Sequence, residues 1–511
     1  MAAFTAEDMK RIEPVEAQRA APGTRKPQLT ALAESLAQRA SEPAYSPIVV
    51  TGLVRLLDFA IVMATGLLLQ HFYLPAGLRD TLPYLSTAPL VGASAVVMFQ
   101  ALKINNIQAF RAPVHQGFRL VAGFAVVMAL AVAVNFLMKF EPNFSRVWLV
   151  SWFIAGSVAL LAGRMFVSSI VRYLTRIGRL ERRTVIVGGG HSGEELLSEF
   201  TKSPDSDLRI YGVFDDRNEE RSPDVVAGFP KLGTVDDLVE FARHVRVDLV
   251  IFTMPISAEQ RLLEMLRKLW VLPLDIRLAA HSNKLRFRPR SYSYIGNVPV
   301  LDVFDKPIAD WDVVMKAAFD RIVGSICLLL LSPLLLIIAA AVKLDSRGPV
   351  LFKQKRYGFN NELIEVYKFR SMYVDQQDFS GRNLVKRGDS RVTRVGRFIR
   401  RTSLDELPQL FNVVFKGNLS LVGPRPHAVH AVAADRAYDE VVDGYFARHR
   451  VRPGITGWAQ VNGWRGETDT PEKLQHRVEH DLYYIENWSI FFDMYIMLIT
   501  PFAVLKGENA F

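Results

Sequence analysis

Hydrophobic residues fall along this chain in blocks. Four long apolar runs come first, at about residues 48–72, 82–102, 118–138 and 147–171. Each can cross a hydrocarbon core as a helix rising about 1.5 Å per residue. From about residue 182 to 300 the period changes, and short β-type runs alternate with amphipathic stretches. Two further apolar runs, about 322–342 and 488–505, lie within a last region rich in charges and turns. The pattern predicts a membrane protein. A mobile cytoplasmic tail (1–44) precedes an α-helical four-span bundle (45–175), an α/β region (180–300) and a third, α-rich region (316–511).

Flanking charge orients the bundle. Lys10, Arg11, Arg19, Arg25, Lys26 and Arg39 precede the first run, Lys103, Arg111 and Arg119 separate the second from the third, and Arg172, Arg176, Arg179, Arg182 and Arg183 follow the fourth. The other two connections carry only Arg79, Lys139 and Arg146, offset by Asp80 and Glu141. Both ends of the bundle are therefore expected in the cytoplasm. No facing charge pair marks a transport path. Arg55 and Asp58 are close enough on one helix to pair locally, and Arg164 can snorkel.

In the α/β region, Arg183-Thr184-Val185-Ile186-Val187 reads as a buried strand, and Gly188 to Gly193 fits a G-x-G-x-x-G turn. A second strand, 210–214, ends at Asp215 and Asp216, and strands at 248–252 and 274–278 flank a helix at about 258–270. This is half of a doubly wound, Rossmann-like sheet. A scaffold and a regulatory nucleotide site are both open readings of it.

The run 322–342 contains Ser332-Pro333 and has Lys316 and Arg321 before it and Lys343, Arg347, Lys353, Lys355 and Arg356 after it. Positive charge on both flanks predicts that both ends stay on one side. Pro333 has no N–H for the Leu329 carbonyl, and Ser332 can supply a substitute donor. A re-entrant helix kinked at Ser332-Pro333 is expected, as is an interfacial helix at 488–505, which carries Asp493 and Pro501.

A net charge of +10 and a pI near 9.5 suit anionic partners. The membrane runs favour membrane lipid and phosphorylated substrates over nucleic acid. The single cysteine, Cys327, excludes an internal disulfide.

Candidate chemistry centres on Arg400-Arg401-Thr402-Ser403-Leu404-Asp405-Glu406-Leu407-Pro408 and on Gly423-Pro424-Arg425-Pro426. Carboxylates can hold Mg²⁺ or attack phosphorus, and arginines neutralise phosphate oxygens. Ser403 and Glu406 also fit a capping box, in which both acids would only open a helix; Pro408 and the surrounding arginines are poorly served by that. Lys368 and Arg370, spaced by two, share a face if they lie on a strand.

These segments, with Lys368-Phe369-Arg370-Ser371-Met372, Asp389 to Arg401 and Pro453-Gly454-Ile455-Thr456-Gly457-Trp458-Ala459-Gln460-Val461-Asn462-Gly463, resemble the bacterial sugar transferases. These are monotopic phosphoglycosyl transferases that move a sugar 1-phosphate from a nucleotide sugar onto polyprenyl phosphate. The resemblance implies that Asp405 and Glu406 are catalytic, with Asp405 the nucleophile and a ligand of Mg²⁺. It implies that Arg425, Lys368, Arg370 and Arg401 bind phosphate, that a re-entrant helix anchors the domain, and that undecaprenyl phosphate and a UDP-sugar are the substrates. Ser390 stands where the family has proline. The run Asn462 to Thr468 looks most like members using UDP-glucose, with galactose, an N-acetylhexosamine and a homodimeric assembly left open. A membrane-bound nucleotide-sugar dehydratase is a rival, but no tyrosine has lysine four positions later. A non-catalytic assembly scaffold is another.

Overall fold

The computed structural model describes residues 45–75, 81–111, 113–137, 145–202, 208–217, 223–254, 258–279, 293–295, 298–374, 389–427, 444–464 and 470–506, with a few isolated positions besides. Arg79, Asp80, Lys139, Glu141, Arg465, Glu467 and Thr468 lie outside the described residues. The chain separates into two compact units, residues 42–182 and the remainder.

Among the described residues the first unit packs four long helices, α1 (Pro47–Tyr73), α2 (Leu82–Ala101), α3 (Pro113–Leu137) and α4 (Arg146–Arg176), with a short helical turn at Ile107–Arg111. Ser46 and Ser145 accept hydrogen bonds from the first amides of α1 and α4, so both helices start where their apolar runs start. Trp148 and Trp152 are fully buried, and their indole N–H groups donate to Gly66 O (3.3 Å) and Val62 O (3.0 Å). A side chain at Gly66 would meet the Trp152 ring at 2.6 Å, so only glycine admits that indole. The expected local pair of Arg55 with Asp58 is not what forms. Asp58 on α1 pairs with Arg164 on α4 at 2.7 Å, and Arg164 also donates to Asn105. Arg164 does not snorkel; it turns inward, because a charge among apolar helices is stabilised by a partner when one is in reach.

The second unit begins with an eight-stranded sheet of order β3-β4-β2-β1-β5-β6-β8-β7. Its strands are β1 (Arg182–Val187), β2 (Leu208–Phe214), β3 (Val225–Val226), β4 (Phe229–Gly233), β5 (Leu249–Phe252), β6 (Asp275–Ala279), β7 (Ser293–Ile295) and β8 (Val298–Phe304). β1, β5 and β6 run parallel and are buried almost throughout, β5 as an unbroken apolar run and β1 through its apolar end Val185–Val187. Helices α5 (His191–Lys202), α6 (Val235–His244) and α7 (Glu259–Leu269) cover the sheet. Thr30 donates to Leu232 O and Ala33 is buried against this core, so that part of the expected mobile tail is tied down. The acid at the end of β2 is used internally. Asp215 accepts from the Gly189 amide at 2.7 Å and from Arg217 Nε at 3.0 and 3.1 Å.

Helix α8 (Asp310–Asp345) continues through Pro333. The Ser332 hydroxyl donates to Leu329 O at 2.7 Å, the carbonyl that Pro333 leaves without an amide. One side of α8 packs on the rest of the unit along its length: Val323, Cys327 and Leu331 on one apolar core, Leu335, Ile338 and Val342 on another. The opposite side leaves Ile322, Ile326, Leu329, Leu330, Leu336, Ile337 and Leu344 exposed. α11 (Ile490–Lys506) likewise exposes Phe491, Met494, Leu498 and Phe502. The remaining elements are the antiparallel hairpin β9 (Leu351–Tyr357) and β10 (Leu363–Phe369), the parallel pair β11 (Ser420–Val422) and β12 (Gly454–Thr456), α9 (Arg394–Arg401) and α10 (Pro471–Glu486). Among the described residues, five helices are long and apolar enough to cross a membrane by length and composition.

Candidate active site

Asp405 and Glu406 sit on one 3₁₀ turn, Leu404–Glu406, entered through Ser403 in a left-handed conformation (φ +59°). Ser403 makes no capping bond from its side chain, so the capping-box reading fails. Leu404 and Leu407 pack on the apolar cluster beneath α8 and thereby fix the turn.

The two acids have different surroundings. Glu406 accepts from Lys368 Nζ at 2.8 Å and from the Arg425 guanidinium at 3.0 and 2.5 Å. Burial alone would raise its pKa, but Arg425 and Lys368 outweigh burial and hold it well below the carboxylate range. Asp405 is buried and has no hydrogen bond or ion pair with the described residues. Burial raises its pKa, with Lys368 opposing and Glu406 adding to the rise.

Arg425 is pinned by its neighbours' carbonyls as well as its own. Gly454 N donates to Pro424 O (3.0 Å), Arg448 Nη2 to Arg425 O (2.7 Å) and Arg356 Nη1 to Pro426 O (2.5 Å). Prolines on both sides of Arg425 restrict the chain further. The β11–β12 pair that presents this turn needs close backbone approach: a side chain at Gly423 would meet Arg452 O at 2.6 Å. Behind the turn, Lys316 on α8 donates to Val422 O (3.1 Å) and pairs with Asp320 (3.2 Å) and Asp493 (2.6 Å), while Tyr484 donates to Asp493 and to Val422 O.

The structure thus gathers Asp405, Glu406, Lys368 and Arg425, and it does not bring the other two expected phosphate ligands to them. β10 ends at Phe369, and the buried Arg370 donates instead to the carbonyls of Val342, Ser346 and Arg347 at the end of α8. Arg401 is exposed at the end of α9. Its neighbour Arg400 is the one whose charge reaches Asp405. Asp389 is held down to about 2 by hydrogen bonds from Arg391, a closed local fork. Trp458 packs against Phe492 at 5.1 Å, and Asn462 donates to Trp458 O, so both serve local packing. Sequence reading missed Arg356, Arg448 and Arg477. Arg356 counted only as a flanking charge, and nothing local marks Arg448, whose partners lie far along the chain.

No group of three or more His, Cys, Asp or Glu side chains gathers as a metal cage among the described residues. One carboxylate, that of Asp405, is open to a cation. This suits Mg²⁺, which takes one or two protein carboxylates and draws its other ligands from water and substrate phosphates.

A family model described as "Bacterial sugar transferase" matches residues 311–507, and one described as "CoA-binding domain" matches residues 100–280. The UDP-glucose:undecaprenyl-phosphate glucose-1-phosphate transferase of Klebsiella pneumoniae is 38% identical over 363 residues, covering 71% of this chain and 76% of that protein. The protein of that name in Xanthomonas campestris pv. campestris is 32% identical and covers 90% of this chain and 94% of its own length. The exopolysaccharide production protein PSS of Rhizobium leguminosarum bv. phaseoli is 49% identical over 200 residues, 39% of this chain and 100% of that protein. A carboxylate pair among cations, set within residues 311–507 that the sugar transferase model matches, goes with those similarities: the chain belongs to the bacterial sugar transferase family.

Proposed function

We propose that the chain transfers glucose 1-phosphate from UDP-glucose to undecaprenyl phosphate with release of UMP, starting a cell-surface polysaccharide repeat. The observation that carries this is the unequal pair: Glu406 is saturated by Lys368 and Arg425, while Asp405 is unpaired beside them. The Asp405 carboxylate attacks the β-phosphorus of the donor, the bond from that phosphorus to the UMP oxygen breaks, and UMP leaves. A phosphate oxygen of the lipid then attacks the same phosphorus, and the carboxylate departs. Splitting the transfer lets two anionic substrates use one site in turn. Lys368 and Arg425 neutralise charge on the phosphoryl oxygens, and Glu406 holds both cations in place. Asp405 would also hold Mg²⁺, which when bound supplies charge neutralisation at the diphosphate.

α8 is read as a re-entrant helix, because one side of it packs on this unit along its length while the other exposes an apolar stripe. The first unit is a four-span anchor. The catalytic region faces the cytoplasm at the bacterial inner membrane, where UDP-sugars are made. Incubating the full-length enzyme with UDP-glucose and no lipid acceptor, then mapping peptides by mass spectrometry, should reveal a hexose-phosphate adduct on Asp405. Continued UMP release without that adduct would overturn the nucleophile.

A further inference from the structure

Among the described residues, positive charge around the Arg425 turn exceeds negative charge. The half-buried Lys368, Arg356 and Arg425 and the buried Arg448 and Arg477 face, among those residues, the carboxylates of Asp405, Glu406 and Asp481. Arg477, on α10, is 2% exposed. Its Nη1 reaches Gly466 O and the His427 ring, both at 3.4 Å. Its Nε and Nη2 are buried and meet no hydrogen-bond partner among the described residues. Those two N–H groups form one edge of the guanidinium, the edge that grips two oxygens of a single phosphate or carboxylate.

Two of these three carboxylates are engaged by other cations. Asp481 pairs with Arg448 at 2.6 Å, and Glu406 with Arg425 and Lys368. His427 gives no counter-charge, because an imidazole is either neutral or positive, and burial with the charges of Arg448 and Arg477 holds its pKa well below the ordinary value. Leaving a buried donor edge unpaired is costly, more so on a charged group. A chain retains such an edge where something else completes it.

We propose that Arg477 is a second phosphate-gripping arginine that works with Arg425 on a substrate's phosphate oxygens. This rests on the reading of the site as a sugar-phosphate transferase. The nucleotide diphosphate and the lipid phosphate share that chemistry; the diphosphate has two adjacent phosphates for two arginines. Uracil offers single carbonyls and does not match a two-pronged edge.

The test uses the full-length enzyme in detergent with added lipid, as wild type, Arg477→Gln and Arg477→Lys, each checked for an unchanged melting temperature. UDP and uridine affinities are measured by calorimetry, and KM is measured for UDP-glucose and for undecaprenyl phosphate. Arg477→Gln should weaken UDP about tenfold or more, the effect of losing hydrogen bonds to a charged group, and leave uridine binding unchanged. Lysine, with the charge but not the fork, should fall between. Loss confined to the KM for undecaprenyl phosphate supports the same grip on the lipid's phosphate. Equal losses for UDP and uridine, or no change in any of these quantities, would overturn the proposal. Should the glutamine variant not fold, a folded lysine variant that binds UDP as tightly as wild type overturns it alone. A wild type that releases no UMP defeats the proposed function, whereas a selective loss of UDP binding at Arg477 would still stand.

Discussion

Glu406 receives both prongs of the Arg425 guanidinium, at 3.0 and 2.5 Å, and this separates it chemically from the adjacent Asp405. Where two titratable neighbours are pushed apart, their roles divide. Glu406→Gln keeps the size but removes the charge that holds Arg425 and Lys368. We expect kcat to fall by about 10²–10³, the scale of losing a placed electrostatic contact. UMP-release kinetics would check this; a variant within twofold of wild type would show that Glu406 does not position those cations.

The same division predicts opposite stability profiles. Asp405 is raised, so between the ordinary carboxylate range and its folded value the native state holds the extra proton, and stability falls as pH rises through that window. Asp405→Asn should therefore melt higher than wild type at neutral pH, by about 2–4 °C per kcal/mol relieved, with the gap closing on acidification. Glu406 is lowered, so it contributes stability above its unfolded value that is lost as pH falls through its folded value. Glu406→Gln should melt lower at neutral pH. Melting curves across pH decide both signs. A destabilised Asp405→Asn at neutral pH contradicts burial as the cause.

Activity should follow ionised Asp405. The acid limb of kcat/KM for UDP-glucose is expected above the ordinary aspartate range, since the raised carboxyl must lose its proton to attack. A pH–rate profile still flat down to that ordinary range would rule this out.

Lys316 and Asp493 form a buried pair at 2.6 Å that ties α8 to α11 behind Val422. Lys316→Met should cost about 3–5 kcal/mol by stranding a buried carboxylate. The double variant with Asp493→Asn should recover much of that. Thermal unfolding of the four proteins in a double-mutant cycle measures it, and additive losses would mean that the pair is not coupled.

Topology can be read by thiol labelling. In a Cys327→Ser background, single cysteines at Lys306 and Arg347, on either side of α8, should both react only from the cytoplasmic side in oriented vesicles. Labelling of Arg347→Cys from the opposite side would make α8 a crossing helix.

How much of this was legible depended on range. Strands such as β1 and β5 announced themselves through the apolar stretches Val185–Val187 and Leu249–Phe252, and Asp405, Glu406 and Arg425 stood out by residue type and spacing. Lys368 and Arg370 share a face only if the strand continues. It stops at Phe369, and Arg370 goes to the carbonyls ending α8. Successive helical residues point about 100° apart, so packing of the buried Ile399 decided that Arg400, not Arg401, reaches Asp405. Asp58 with Arg164, 106 positions apart, has no local signature.

The bond from the Ser332 hydroxyl to Leu329 O has a wider consequence. The interruption in α8 brings its own donor, so no neighbouring helix has to mend the backbone there. If α8 is the foothold in lipid proposed above, a region so anchored can be detached from the preceding helices, or fused to others, without redesigning its hold on the bilayer.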